Sequence, residues 1–356
     1  MAMEAFKDVL NEYEKFWERD DRKRPILNFA YVKKDTKPYK APKDYNQQWI
    51  DEEFITERHK TYLYNVGFTA EGYPNLFTNL GPGCLAACIG GNFELAENTV
   101  WFDKKPIIND WNSLPKIEFN EQSEMWQHIT RLQERFMKEP DFSFSVTDLG
   151  GNFDIIAALR STNELLFDLY DYPDEIAEFS KKVNEIWFKA FDMQIKALEK
   201  AKLPYNNWMN IPSSKPWYPL QCDFCYMISP EHFEKFVLPG LTEQANYLPR
   251  SIYHLDGIGE IPHLDMLLDI ENLSGIQWVA GDGQAPLWDE KWYPMYKKIQ
   301  DKKKNLVLMS SIAEYDPKGA ERLVKSLDPK GVYLSGDFSS KEKAEEMVEK
   351  ITRWCE

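Results

Sequence analysis

His254 and Asp256 are the residues of this sequence best placed to do chemistry. They stand two apart in His254-Leu255-Asp256-Gly257, directly after Ser251-Ile252-Tyr253, a run that reads as a buried strand. Alternate residues of an extended segment share a face, so the imidazole and the carboxylate can converge on one atom, either a metal or a polar substrate group. Gly257 breaks the pattern, which puts the pair at the carboxyl end of a strand, where α/β proteins keep their chemistry. As a metal site the pair needs at least one further ligand, and Asp337, Cys222 or Asp282 can supply it from other strand ends. As acid/base machinery, Asp256 would fix the tautomer of His254 and raise its basicity. The plainer alternative is a hydrogen-bonded rim histidine, with Asp256 capping the next helix.

The elements that must position this pair follow from hydrophobic periodicity. Strand-like runs at 26–31, 75–79, 142–147, 207–211, 251–253, 276–280, 306–309 and 332–334 alternate with amphipathic helical segments. Such alternation predicts a parallel sheet. Eight units in this length favour an α/β fold of one (β/α)8 TIM-type barrel domain spanning residues 1–356. Residues 1–24 form an amino-terminal helical extension, with Phe6, Val9, Leu10, Tyr13 and Phe16-Trp17 at helical spacing. Residues 81–120 fit poorly as a single crossover and are expected to form an excursion over the barrel mouth.

The residues that close the strands then make up a rim. Asn79, Asp148, Asn210, His254, Asp256, Asp282, Ser335 and Asp337 are short and polar, and glycines flank several of them. We expect His254, Asp256 and Asp148 in catalytic roles, and His254, Asp256, Asp337 and Cys222 as candidate metal ligands. Asn79, Asn210, Asp223 and Asp282 are expected to contact substrate. Trp278 and Trp288, which with Trp292 bracket Gly281-Asp282-Gly283, would wall an aromatic or cationic substrate. Core filling accounts for each tryptophan at least as well, and ordinary loop chemistry for any single polar residue.

Composition narrows the function classes. The formal charge of −15 disfavours nucleic acid and anionic membrane surfaces, both of which need a basic footprint. No stretch has the length and purity of a transmembrane helix. Five scattered cysteines and no apolar amino-terminal run predict a cytoplasmic protein without a disulfide framework. Cys222-Asp223-Phe224-Cys225 lacks the second pair that a zinc ribbon needs. It reads as a loop before a helix capped by Ser229-Pro230-Glu231, from which one thiol can reach the pocket. There is no phosphate-cradling loop, no G-x-S-x-G elbow and no H-E-x-x-H.

Several segments together resemble the uroporphyrinogen decarboxylase superfamily, which also holds the corrinoid-dependent methyltransferases. They are Asp148-Leu149-Gly150-Gly151-Asn152-Phe153-Asp154-Ile155 through Arg160, Glu164-Leu165-Leu166-Phe167-Asp168, Gln221-Cys222-Asp223, Ile228-Ser229-Pro230-Glu231, Tyr253-His254-Leu255-Asp256-Gly257 and Ser335-Gly336-Asp337-Phe338. The resemblance spans roughly residues 140–354, and it implies a (β/α)8 barrel with its cleft on the carboxyl-terminal face. The decarboxylases carry an arginine-rich segment near the first strand. Here that region reads Arg24-Pro25-Ile26-Leu27-Asn28-Phe29-Ala30-Tyr31, without the arginine pair, so porphyrinogen decarboxylation is not expected. The methyltransferase branch binds zinc through His-x-Cys plus a later Cys. His254 carries over, whereas Asp256 and the Ser335/Asp337 pair replace the thiolates. The implied activity is methyl transfer between a small-molecule substrate and a corrinoid protein or other acceptor, assisted by zinc or another divalent metal. A metal-independent decarboxylase or lyase using His254/Asp256 as acid/base pair is the alternative, and a tetrapyrrole- or corrinoid-binding protein without catalysis is a third. A homodimer is left open.

Overall fold

The computed structural model describes residues 6–139 and 143–356. Residues 1–5 of the expected extension, and residue 142 at the start of an expected strand, lie outside the described residues. The strands, in chain order, are β1 Ile26–Val32, β2 Val66–Ala70, β3 Asn75–Phe77, β4 Glu94–Leu95, β5 Val100–Trp101, β6 Ser143–Ser145, β7 Trp217–Gln221, β8 Arg250–Asp256, β9 Gly275–Val279, β10 Asn305–Leu308 and β11 Val332–Phe338. A central seven-stranded sheet runs β2-β1-β11-β10-β9-β8-β7. Its neighbours pair in parallel except β2, which runs antiparallel to β1. β3 and β6 form a separate parallel pair, and β4 and β5 an antiparallel hairpin.

Both faces of the sheet are apolar, as parallel strands covered on two sides require. Leu27, Phe29, Leu220, Tyr253, Leu255, Ile276, Trp278, Leu306, Leu308 and Leu334 pack outward against the helices. The alternate residues Ile26, Trp217, Ile252, Val307 and Tyr333 face inward near the strand starts. The amino-terminal helix Lys7–Trp17 covers this inner set with Tyr13, Phe16 and Trp17. Further along the same inward face of β8 come His254 and Asp256, so the alternation that buries Ile252 presents the polar pair at the other end. The helix thus plugs one end of the strands and leaves the other for the site.

Two expectations change. Residues 207–211 do not form a strand. Asn210 takes a left-handed φ of 55°, and the segment turns back through an isolated bridge between Tyr205 and Ser213. It lies against the strands through Val146 N–H to Asn206 O (3.1 Å) and Tyr333 O–H to Met209 O (3.3 Å). The strand of that unit is β7, whose Trp-Tyr-Pro-Leu-Gln run carries a proline that cannot donate to a ladder. The antiparallel β2 was not expected at all. No helix among the described residues is long and apolar enough to cross a membrane.

Candidate functional site

The parallel register sets Gln221 of β7, His254 of β8 and Gln277 of β9 in one row. His254 Nδ1 hydrogen-bonds the Gln277 side-chain oxygen. With Nδ1–H donating there, Nε2 presents its lone pair to the rim. The Trp208 ring stands edge-on to the imidazole, centroids 5.1 Å apart, and fixes its plane. His254 Nε2 lies 3.9 Å from Asp256 Oδ2. Asp223, just past the end of β7, completes a convergence in which one ligand atom from each of Asp223, His254 and Asp256 lies within 4.8 Å of the others. Among the described residues, neither carboxylate is paired with a lysine or arginine.

Glycine makes this crowding possible. A Cβ on Gly151 would fall 2.1 Å from the Gln221 carbonyl, so only glycine lets the loop after β6 approach the end of β7. That approach brings Asp148 and Asp154 beside Asp223. Gly257 takes a φ of 86° directly after Asp256, and a Cβ there would come within 3.0 Å of the Tyr226 ring.

Asp148 is buried, and its Oδ1 accepts from Gly150 N–H (2.9 Å) and Tyr218 O–H (3.0 Å). Burial raises its carboxyl to about 6, against the pull of those two donors. Asp154 accepts from Phe224 N–H at 2.9 Å through Oδ1, while its buried Oδ2 has no partner among the described residues. Burial and the charge of Asp223 raise it to about 7. Glu260, fully buried, accepts from Tyr253 O–H at 3.1 Å, and its Oε1 has no partner among the described residues. Burial, then Asp223, pushes it to about 9. Asp223 itself is raised by protein crowding around its carboxyl, with His254 opposing. These groups form a nest of acids that keep their protons unusually long.

The other expected site residues separate from this nest to different degrees. Cys222 is 1 % exposed, beside the equally buried Cys225, and burial pushes its thiol well up. Asp337 lies on β11, outside the convergence, its carboxyl raised by partial burial. Trp278 is fully buried on the outward face of β9, 5.0 Å from the Trp292 ring. Trp288 is half-buried, its ring 6.2 Å from Tyr315, and Asp282 is exposed. Asn79 accepts from Gly81 N–H (3.0 Å) and lines a separate cavity of about 480 Å³ with Tyr39, Trp49 and Tyr62. Asn210 accepts from Asn206 Nδ2 at 3.3 Å. Asp154 and Glu260 had no expected role; the signal for each is a lone acid in an apolar setting, Phe153-Asp154-Ile155-Ile156 and Gly259-Glu260-Ile261.

A cleft of about 240 Å³ adjoins the convergence through Asp223. The β4–β5 hairpin and its flanks, inside the expected excursion, supply Thr99, Val100, Trp101, Phe102 and Asp103 to its wall.

With the arrangement in view, a structural comparison becomes informative. A methyltransferase from Methanosarcina mazei superposes with a TM-score of 0.63 at 11% identity, covering 97% of this chain and 98% of that one. The two chains share a fold. No protein-family profile and no curated protein matches the sequence.

Proposed function

We propose that this chain is a methyltransferase-like enzyme of uroporphyrinogen decarboxylase-like (β/α)8 architecture, with a divalent cation held by Asp223, His254 and Asp256. The convergence of those three side chains at the ends of β7 and β8 carries the reading. One imidazole nitrogen and two carboxylates, without a thiolate, suit a borderline or hard divalent ion, zinc included. The donor set fits: among the described residues no lysine or arginine pairs with either carboxylate, and Gln277 supplies the second hydrogen bond that ligating histidines use for orientation. A cation held there would supply Lewis acidity to the heteroatom carrying the methyl group.

The chain's own residues do the rest. Gln277 and Trp208 hold His254 in one orientation. Asp148, still partly protonated near neutral pH, would serve as the acid/base group that gives a proton to a departing heteroatom or takes one from an attacking group. The methyl acceptor or donor would be a corrinoid carried by a partner protein. Supporting that partner, Trp101, Tyr226, Met227 and Ile258 expose 42–50% of their surface near the rim, an apolar border suited to a flat macrocycle. A metal-independent decarboxylase or lyase is the second reading, favoured by the proton-retaining Asp148 and Glu260.

Methyl transfer from methylated small molecules to a reduced corrinoid, followed by its visible spectrum, tests the proposal. Activity should fall when metal is chelated and recover when it is restored. Full turnover in the chelated enzyme would favour the second reading. Gln277→Leu should weaken metal affinity by about 10–100-fold while leaving the fold intact.

A further inference from the structure

Asp223 is the one member of the trio that does not stand on a strand. It opens the short 3-10 helical turn Asp223–Met227 just past β7, so its carboxylate is only as well placed as that turn. Three contacts from elsewhere in the chain fix the turn. Asp154 Oδ1 accepts from Phe224 N–H at 2.9 Å. The Tyr226 ring packs on the backbone after Asp256, close enough that a Cβ on Gly259 would come within 2.7 Å of it. The third contact is His263 Nε2 on the Cys225 carbonyl oxygen at 3.0 Å. His263 closes the turn Ile261–His263, so this bond ties the loop after β7 to the loop after β8. Those two loops flank the three candidate ligands.

The partner fixes the chemistry of this bond. A carbonyl only accepts, so Nε2 carries the proton and Nδ1 is left as a lone pair. Burial lowers the pKa of the ring and keeps it neutral. The ring stacks on Phe233, with centroids 4.4 Å and planes 7° apart. Its buried Nδ1 has no partner among the described residues, while the Cys225 carbonyl also accepts from Ile228 N–H at 3.3 Å. A phenyl ring here would keep the stack, remove the unanswered acceptor and leave the carbonyl satisfied. Packing is served as well by that ring. What the imidazole alone supplies is the tether to the turn that carries Asp223.

We propose that His263 is a positioning residue for the cation site, its bond to the Cys225 carbonyl holding the turn that presents Asp223 to the ion. The inference rests on the divalent-cation reading and deepens it by naming what orients the ligand that stands off the strands. Asp223 and Cys225 lie two residues apart in one turn, so a shift of the carbonyl carries the carboxylate with it. Outer-shell partners of this kind are worth about 10–100-fold in metal affinity.

Titration of the full chain with cobalt(II), followed through its visible ligand-field bands, tests this in wild type, His263→Phe, His263→Gln, Asp223→Asn and the His263→Phe/Asp223→Asn double variant. His263→Phe should weaken cobalt binding about 10–100-fold and move the bands toward those of Asp223→Asn, at close to the wild-type Tm. His263→Gln keeps a donor and should recover most of the affinity. At cobalt concentrations that load Asp223→Asn, the double variant should show no further loss, because the ligand that His263 places is already gone. Wild-type affinity in folded His263→Phe, or the same loss with and without the Asp223 carboxylate, overturns the proposal and leaves the cation reading standing. So does a His263→Phe chain that fails to fold, since the imidazole would then serve the fold itself. Wild-type protein that binds no cobalt overturns the cation reading, and the proposal with it.

Discussion

The two ends of the parallel strands carry the same kinds of acid and treat them in opposite ways. At the amino-terminal end, buried Arg250 donates to Glu14 (2.8 and 3.0 Å), Glu18 and Ser213. Arg22 and Arg24 meet Glu71, which also accepts from Leu27 N–H at 2.9 Å. Hydrogen bonds from Arg250 and Lys215 hold the Glu18 carboxyl below its ordinary range. At the carboxyl-terminal end, Asp148, Asp154, Asp223, Asp256 and Glu260 have no lysine or arginine partner among the described residues. The carboxyls of Asp148, Asp154, Asp223 and Glu260 are raised, with burial the leading cause. Uncompensated buried acid costs stability, so one end is built to hold the fold and the other to hold something else.

Breaking the compensated end should have the largest effect. Arg250→Ala leaves Glu14 without its guanidinium and should destabilise the protein by about 3 kcal/mol or more, read from denaturant unfolding. The uncompensated end should respond in the opposite sense. A cation at a hundred times its dissociation constant should add about 2.7 kcal/mol of stability, visible as a raised Tm that Asp223→Asn abolishes.

Glu260 gives the contrast a pH signature. Its folded value near 9 lies above its ordinary 4.5, so the native state keeps a proton that the unfolded chain has released. Its stabilising contribution is therefore complete below about 4.5 and is lost as pH rises toward 9. Glu260→Gln should remove a slope of up to ~1.4 kcal/mol per pH unit across that window, leaving the variant more stable than wild type at pH 8. The smallest effect sharpens the ligand set. Asp337→Asn, outside the convergence, should change stability by no more than about 0.5 kcal/mol and leave metal content unchanged.

Much of this was legible in the sequence, for reasons that differ by residue. Period-two alternation put Ile252, His254 and Asp256 on one face, and the structure has them there. The same alternation places Trp278 outward when Gln277 faces His254, yet the turn at Gly281 drew attention to its tryptophans instead. The strand at 217–221 was hidden by Pro219, and 207–211 imitated it with apolar Trp208, Met209 and Ile211 while Asn210 turned the chain. Asp223 was read as a pocket residue, and its meeting with His254 depends on the β7–β8 register, which no local pattern specifies. Asp154 and Glu260 sit in helical or turn segments whose approach to the rim is likewise a matter of tertiary packing.

The account stands most directly on the metal stoichiometry of the full chain after dialysis against a divalent ion and removal of the excess. It predicts close to one ion per wild-type chain, loss of that ion in His254→Ala, and retention in Asp337→Asn. No ion in folded wild-type protein, or an ion that survives His254→Ala, would contradict it.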